Sequence, residues 1–283
     1  MDKGRAEQQD LKVVGTRSSR VDAVAKVTGQ ARFGTDVNLP GMAVGKVLRS
    51  PHAHARVLEI DTRNAEEMDG VYAVLTAEDL PAMNDSPADA EAAMRRKILR
   101  DNTLARDKVL YVGHPIAAVA ARTSTLAEEA LRRIKVSYDV LPPVVNVRDA
   151  MREDAPVLHP ELRTRTSEGT DDRPTNVSLH FKYVKGDPDA GFADADTIVE
   201  REFSSRMVHQ GYLEPHASTA VWDDGRLTIY ATTQGVFAVR SHLTSLLQLP
   251  MSRVRVIPME VGGAFGGKND SYVDGVAALL AQK

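Results

Sequence analysis

Short runs of alternating apolar and polar residues recur along the first half of the chain. Between them the apolar spacing lengthens to a helical period. Residues 42–49, 55–61 and 70–75 alternate or run apolar and predict three strands. Residues 62–68 predict a short helix with Thr62 as its cap, and 76–81 a helical turn closed by Pro81. Residues 85–101 are charged and alanine-rich and predict an exposed, partly helical segment. The stretch 107–121 reads as a strand, a turn at Gly113-His114-Pro115, and a buried run. Residues 124–135 place Leu126, Ala130, Leu131 and Ile134 on one face of a helix capped by Ser124. A strand at 136–141 stops at Pro142-Pro143. This alternation of strands and helices predicts an α/β or α+β unit.

The chain then turns polar and proline-rich through 147–176, which reads as a link. Alternation returns at 177–185 (Val177, Leu179, Phe181, Tyr183) and at 198–203, predicting strands with a turn and short helix between them. Residues 219–222 and 226–232 predict a hairpin about Asp224-Gly225, a strong turn pair. Residues 241–249 predict a helix with Leu243, Leu246 and Leu247 inward, ended by Pro250. Val254, Val256, Ile257 and Val261 predict a buried strand. It stops at Gly262, Gly263, Gly266 and Gly267, and a further helix comes after them over 273–282.

Strand, glycine loop and helix bring main-chain N–H groups close to a bound group, and the helix N-terminus adds partial positive charge. Such a loop suits an anionic or oxygen-rich ligand; a plain strand-to-helix turn is the ordinary alternative. Gly262-x-x-x-x-Gly267-Lys268 also matches a phosphate-binding P-loop in all but its last position. There Asn269 replaces the Ser or Thr that would bind Mg²⁺. A nucleotide-binding protein is therefore an alternative reading of the loop.

At 283 residues the chain is long enough for two domains, and an apolar content of 42% suffices for real cores. A net charge of −3 leaves no footprint for nucleic acid or an anionic membrane. No apolar run approaches a membrane span and no secretory signal is visible, so a cytoplasmic protein is expected. The lack of cysteine excludes disulfides, thiolate metal ligands and iron–sulfur ligation by these residues. His52 and His54 would share one side of a strand, as a metal pair requires. With no further ligand cluster near, a structural role is the ordinary reading. Arg17 and Arg20 are candidate phosphate or carboxylate ligands, or simply solvated surface arginines.

The ordered set of motifs carries more than any one of them. Gly15-Thr-Arg17 and Arg20-Val-Asp-Ala-Val-Ala-Lys-Val-Thr-Gly29 open the chain, followed by Ala31-Arg-Phe-Gly-Thr-Asp36 and Leu48-Arg-Ser-Pro-His-Ala-His-Ala-Arg56. Gly113-His-Pro-Ile-Ala-Ala-Val119 and Val136-Ser-Tyr-Asp-Val-Leu-Pro142 come next. His209-Gln-Gly-Tyr-Leu-Glu-Pro-His216 and Ala231-Thr-Thr-Gln234 lead into Gly263-Ala-Phe-Gly-Gly-Lys268. From about Val14 onward this order resembles the first part of the molybdopterin-binding subunit of the xanthine dehydrogenase and aldehyde oxidase family of molybdenum hydroxylases.

The resemblance implies an α+β chain: a flexible segment at 1–13, a hammerhead α/β domain over 14–146, a linker over 147–176, and the start of a molybdopterin-binding α+β domain over 177–283. It implies a molybdenum–molybdopterin cofactor, in the cytosine dinucleotide form, shared with a second polypeptide. Gln234 matches the glutamine that hydrogen-bonds a terminal oxygen ligand of molybdenum. Phe265 and Gly266 match the pair packed against the metal's ligands, and Gly263 and Gly267 keep that backbone close. No side chain is expected to ligate the metal directly. Asn269 stands where the purine enzymes often hold a substrate-orienting Glu, so purine specificity is not implied. Glu214 matches a Glu of the family's Leu-Glu segment, either lining the substrate pocket or structural.

The family's base glutamate lies far beyond the glycine loop. No catalytic residue is therefore expected within this chain, and the base is expected on a partner chain; the alternative is that these residues are a fragment of a longer chain. The implied activity is oxidative hydroxylation at an electron-poor carbon of a small organic substrate, by a complex and not by this chain alone. The implied partners are a second molybdopterin-domain chain, an iron–sulfur subunit and a flavin subunit carrying FAD, with neither nucleic acid nor membrane. A non-catalytic scaffold subunit of such a complex is the remaining alternative.

Overall fold

Seven consecutive residues, Pro115–Ala121, are buried along a single strand. Their side chains alternate, as a strand requires, and each side meets a different core. Ala118 and Ala120 face a large core that reaches into the second half of the chain, while Ala117, Val119 and Ala121 face a smaller one.

The computed structural model describes residues 12–82 and 90–283. The expectations for residues 1–11 and 85–89 lie outside these described residues. The first part runs α1 (Ala23–Val27), β1 (Val44–Arg49), β2 (Ala55–Asp61), α2 (Arg63–Glu66), β3 (Val71–Leu75), α3 (Ala90–Thr103), β4 (Lys108–Val109), β5 (Pro115–Ala121), α4 (Ser124–Arg133) and β6 (Lys135–Val140). The second runs α5 (Val147–Ala150), β7 (Arg165–Thr166), β8 (Gly169–Thr170), β9 (Leu179–His180), α6 (Pro188–Ala193), β10 (Ser218–Asp223), β11 (Arg226–Ala231), α7 (Val236–Leu247), β12 (Val254–Pro258) and α8 (Asp274–Gln282).

In the first part β5 lies between β1 and β3, antiparallel to both, and β2 lies between β4 and β6. Helix α4 buries Ala127 and Ala130 in the smaller core beside β5. Its cap is Thr123, whose hydroxyl accepts from the Leu126 N–H at 3.2 Å, one residue before the expected Ser124. Thr62 precedes α2 but does not cap it: its hydroxyl donates to the Glu66 carboxylate at 2.8 Å.

In the second part Asp224 (φ +45°) and Gly225 (φ +68°) form the turn that joins β10 to β11. Both are positive, which matches the twist of the flanking strands. Strand β12 pairs parallel to β11, so a crossover is required, and α7 supplies it. Helix α7 begins at Val236 rather than at 241, because Val239 extends the buried stripe of Leu243, Leu246 and Leu247 by a turn. Helix α8 lies against β10, where the Trp222 indole donates to the Ala278 carbonyl at 2.8 Å. Leu227, Ile229, Val239, Leu243, Val276 and Leu279 share the large core with Leu75, Ala118 and Ala120. One hydrophobic core therefore crosses both parts.

Two predicted strands do not form as expected. Of 177–185 only Leu179–His180 pairs, with β7, and residues 198–203 form no strand. A strand needs a neighbour for its N–H and C=O groups and a surface for its apolar face. Among the described residues neither is offered there, and Phe181, Tyr183, Val199 and Phe203 are left exposed.

Candidate functional site

Parallel pairing of β11 and β12, in register at Ala231 and Pro258, sends the two following loops out from the same edge. Carboxyl ends of parallel strands are where ligand sites form in open sheets. Residues 232–235 come after β11, and the glycine loop comes after β12. They are bonded to each other. The Thr233 hydroxyl and the Gln234 N–H both donate to the Lys268 carbonyl, at 3.1 and 2.8 Å. The Gln234 side chain accepts through Oε1 from the N–H groups of Gly266 (3.2 Å) and Lys268 (3.4 Å). Two backbone donors fix which end of the amide is oxygen. Nε2 is the other end, and among the described residues it donates to no protein group.

The loop has a closed back and an open front. A Cβ on Gly262 would lie 2.8 Å from Glu214 Cβ, and one on Gly267 would lie 2.7 Å from Tyr212 Cε1 and 3.1 Å from Gln210 Cδ. Segment 210–214 therefore covers one side. Gly263 (φ +96°) and Gly266 (φ +87°) take backbone angles natural only to glycine. A Cβ on Gly266 would meet nothing within 4 Å, so that side is clear. Phe265 sits between them at φ +50° and is 73% exposed. A bulky residue in this region costs about 1–2 kcal/mol, and such outliers persist where the surroundings enforce them. Asn269 is exposed, and its Nδ2 donates to the Gly266 carbonyl at 3.3 Å.

Glu214 and Lys268 lie behind the loop. Lys268 Nζ donates to Glu214 Oε2 at 2.7 Å, with the two side chains 0% and 10% exposed. The same oxygen accepts from the Gly262 N–H at 2.8 Å. Lys268 Nζ also stands 4.9 Å from the centre of the Tyr212 ring, within cation–π range. The Tyr212 hydroxyl meets His216 Nε2 at 2.9 Å. Burial first, then the charges of Lys268 and Arg49, hold the His216 imidazole below its ordinary value.

The expected positions Gln234, Gly263, Phe265, Gly266 and Gly267 thus come together on one loop pair. Asn269 joins its rim and Glu214 its back. Thr233, Tyr212 and the Lys268 side chain were not anticipated. The polar cluster at 209–218 is visible in the sequence, but nothing there signals a bond to a lysine so far along the chain. The P-loop alternative finds no support. Its lysine is buried against a carboxylate, and α8 begins only at Asp274, so the loop does not run straight into a helix at Lys268 as a P-loop does.

The remaining candidates are the two histidines and the two arginines. His54 is buried with Nδ1 on the Pro142 carbonyl at 2.8 Å, and His52 meets the Tyr138 ring edge-on. Among the described residues no group of three or more His, Cys, Asp and Glu could hold a metal ion. Arg20 forks onto Asp22 at 2.9 and 2.8 Å, and Arg17 is exposed. No described helix is long and apolar enough to cross a membrane. The donor set fits an oxygen-bearing group at the front of the glycine loop: a fixed amide with free N–H groups beside an open peptide edge.

Comparison with known proteins gives that group a context. The aldehyde oxidase and xanthine dehydrogenase a/b hammerhead domain matches residues 28–142, and a molybdopterin cofactor-binding domain matches residues 170–283. A probable xanthine dehydrogenase subunit of Bacillus subtilis is 35% identical over 93% of this chain and 33% of its own length. The nicotinate dehydrogenase large molybdopterin subunit of Eubacterium barkeri is 34% identical over 96% of this chain and 59% of its own. The structure of CO dehydrogenase from Oligotropha carboxidovorans superposes with a TM-score of 0.76 at 31% identity, over 94% of this chain and 33% of that one. The chain therefore spans from a third to little more than half the length of these relatives. With both matches in the same order and most of the chain inside them, the protein belongs to the aldehyde oxidase and xanthine dehydrogenase family, as part of its molybdopterin-binding portion.

Proposed function

We propose that this chain forms one wall of the molybdenum-cofactor site in an oxidoreductase that hydroxylates an electron-poor carbon of a small organic molecule. The observation that carries the reading is the Gln234 amide. Its oxygen is held by two backbone N–H groups, which leaves the Nε2 hydrogens for an acceptor outside the chain. A fixed donor of this kind needs no reorganisation when charge builds on the oxygen it meets.

The bound cofactor would supply the metal-centred two-electron oxidation. Around it, Gln234 would donate to a terminal oxygen, and the Phe265–Gly266 edge would pack against the metal's ligands. The exposed Phe265 ring would exclude water there once covered. Gly263 and Gly267 would allow the peptide's close approach, Gly263 by its backbone angle and Gly267 by its contact with Tyr212. Asn269, with no carboxylate, would not orient a purine as a glutamate does, which leaves other heteroaromatic rings, aldehydes or unrelated carbon substrates.

Glu214 is not the base: its carboxylate is turned to Gly262 and Lys268 and nearly buried. We assign the base to the part of the molybdopterin-binding portion that this sequence does not span, carried either on a second polypeptide or on a longer chain of which this is a piece; the share of the relatives' length that this chain covers supports the reading. The cofactor would be the cytosine dinucleotide form. Iron–sulfur clusters would sit on a partner subunit, since no cysteine is present here, and FAD on another, as the family resemblance implies.

The test is metal and nucleotide analysis of the purified complex, with Gln234→Ala and Phe265→Ala beside the wild type. Molybdenum and a released cytosine nucleotide are expected. Gln234→Ala should lower turnover on the order of 10²-fold, as loss of one aligned donor does. A metal-free assembly with full activity refutes the proposal. Full turnover in both variants would favour the scaffold alternative instead.

A further inference from the structure

The Glu214–Lys268 pair has no part in the proposed chemistry, yet it is the most deeply buried charge pair described. The Lys268 side chain is fully buried and that of Glu214 nearly so. Buried pairs of this kind add little net stability over apolar residues of similar size. One oxygen of Glu214, Oε2, takes both the Gly262 N–H and the Lys268 ammonium, while the other, Oε1, is buried without a donor. A buried pair so placed calls for an explanation beyond packing.

Connectivity supplies it. Lys268 is the residue where the two sides of the loop meet. Its main chain is bonded to Thr233 and Gln234 on the β11 side. Its side chain is bonded to Glu214 on the opposite side. Glu214 in turn holds Gly262, at the start of the same loop. The left-handed turn at Phe265 lies between these two anchor points. We infer that Glu214 and Lys268 act as positioning residues, a latch that fixes both ends of the glycine loop and so sets the Phe265–Gly266 edge against the Gln234 amide. The inference rests on the reading that this edge faces the cofactor, but the loop's order can be measured without it.

The test is hydrogen exchange of the purified complex, followed in a peptide covering 261–269 and, as a control, in one covering β10 and β11. The double variant Glu214→Leu with Lys268→Met removes both charges together, so stability should survive while the Gly262 N–H loses its acceptor. Exchange in the loop should rise at least tenfold with the control peptide unchanged. Glu214→Gln keeps the volume and an acceptor for Gly262 but weakens the bond to Lys268. It should fold even if the double variant does not, and raise loop exchange at least threefold.

Loop exchange at the wild-type rate in Glu214→Gln and in any folded double variant overturns the inference. Equal acceleration in loop and control overturns it too, because the pair would then be a general stabiliser. Molybdenum content is measured alongside. Wild-type protein that carries none would defeat the proposed function while leaving the exchange result to decide the latch.

Discussion

Gly267→Ala tests how tightly the back of the glycine loop is packed. The wild-type backbone angle at Gly267 is not in the left-handed region, so alanine meets no conformational penalty there. Its Cβ would instead lie 2.7 Å from Tyr212 Cε1, 3.1 Å from the Ala264 carbonyl oxygen and 3.1 Å from Gln210 Cδ. Ordinary van der Waals contact begins about 3.4 Å out. The Tyr212 ring cannot swing freely, since it lies beside the Lys268 ammonium and its hydroxyl is bonded to His216. Forcing a methyl into such a site costs about 1–3 kcal/mol. At this chain length that lowers the melting temperature by roughly 2–4 °C for each kcal/mol.

Gly266→Ala is the matched control. It meets open space, so its cost is conformational, about 1–2 kcal/mol. The two penalties separate when Tyr212→Ala is added. Removing the ring should relieve part of the Gly267→Ala penalty, giving a favourable coupling of about 1 kcal/mol, and leave that of Gly266→Ala unchanged. The assay is thermal or urea unfolding of the single variants and the two doubles. A Gly267→Ala protein as stable as wild type, or a coupling of zero with Tyr212→Ala, refutes the packing argument.

Other outcomes are expected. Leu243 is fully buried in the core that crosses both parts, so Leu243→Ala should cost about 2–5 kcal/mol in urea unfolding, and a loss below about 1 kcal/mol would contradict that placement. His114 is buried, with Nδ1 accepting the Leu110 N–H at 3.1 Å and Nε2 on the Asp101 carbonyl at 2.7 Å, and burial holds its imidazole below the ordinary value. The unfolded chain, titrating near pH ~6.5, then takes the proton more readily, so this contribution is complete above that value and lost as pH falls toward the folded one. Replacing His114 with Gln should flatten stability between about pH 7 and 5, and an unchanged slope would rule the histidine out. Gly225→Ala at φ +68° should cost about 1 kcal/mol by thermal melting; no loss would mean that the turn relaxes.

The parts of this fold legible in the sequence are those decided by neighbouring residues. Asp224-Gly225 announces its turn because two positive φ angles favour those residue types. The buried run at 115–121 and the glycines after β12 are equally local. The start of α7 escapes notice because Gly235-Val-Phe-Ala carries no helix signal of its own until Val239 is seen to continue the stripe of Leu243. The strands at 177–185 and 198–203 have the right alternation, yet pairing depends on a neighbour, which the pattern of one strand does not reveal. The loop's candidates are readable because they cluster in sequence. The Glu214–Lys268 bond is not, because its partners lie 54 positions apart and Lys268 invites a phosphate reading.

Strand β5 has a consequence for motion. Its small side chains serve two cores at once, and the larger core extends into the helices behind the glycine loop. No seam therefore separates the hammerhead from the second half of the chain, and the wall that carries Phe265 rides on a rigid foundation. Heating should dissolve both halves in a single step.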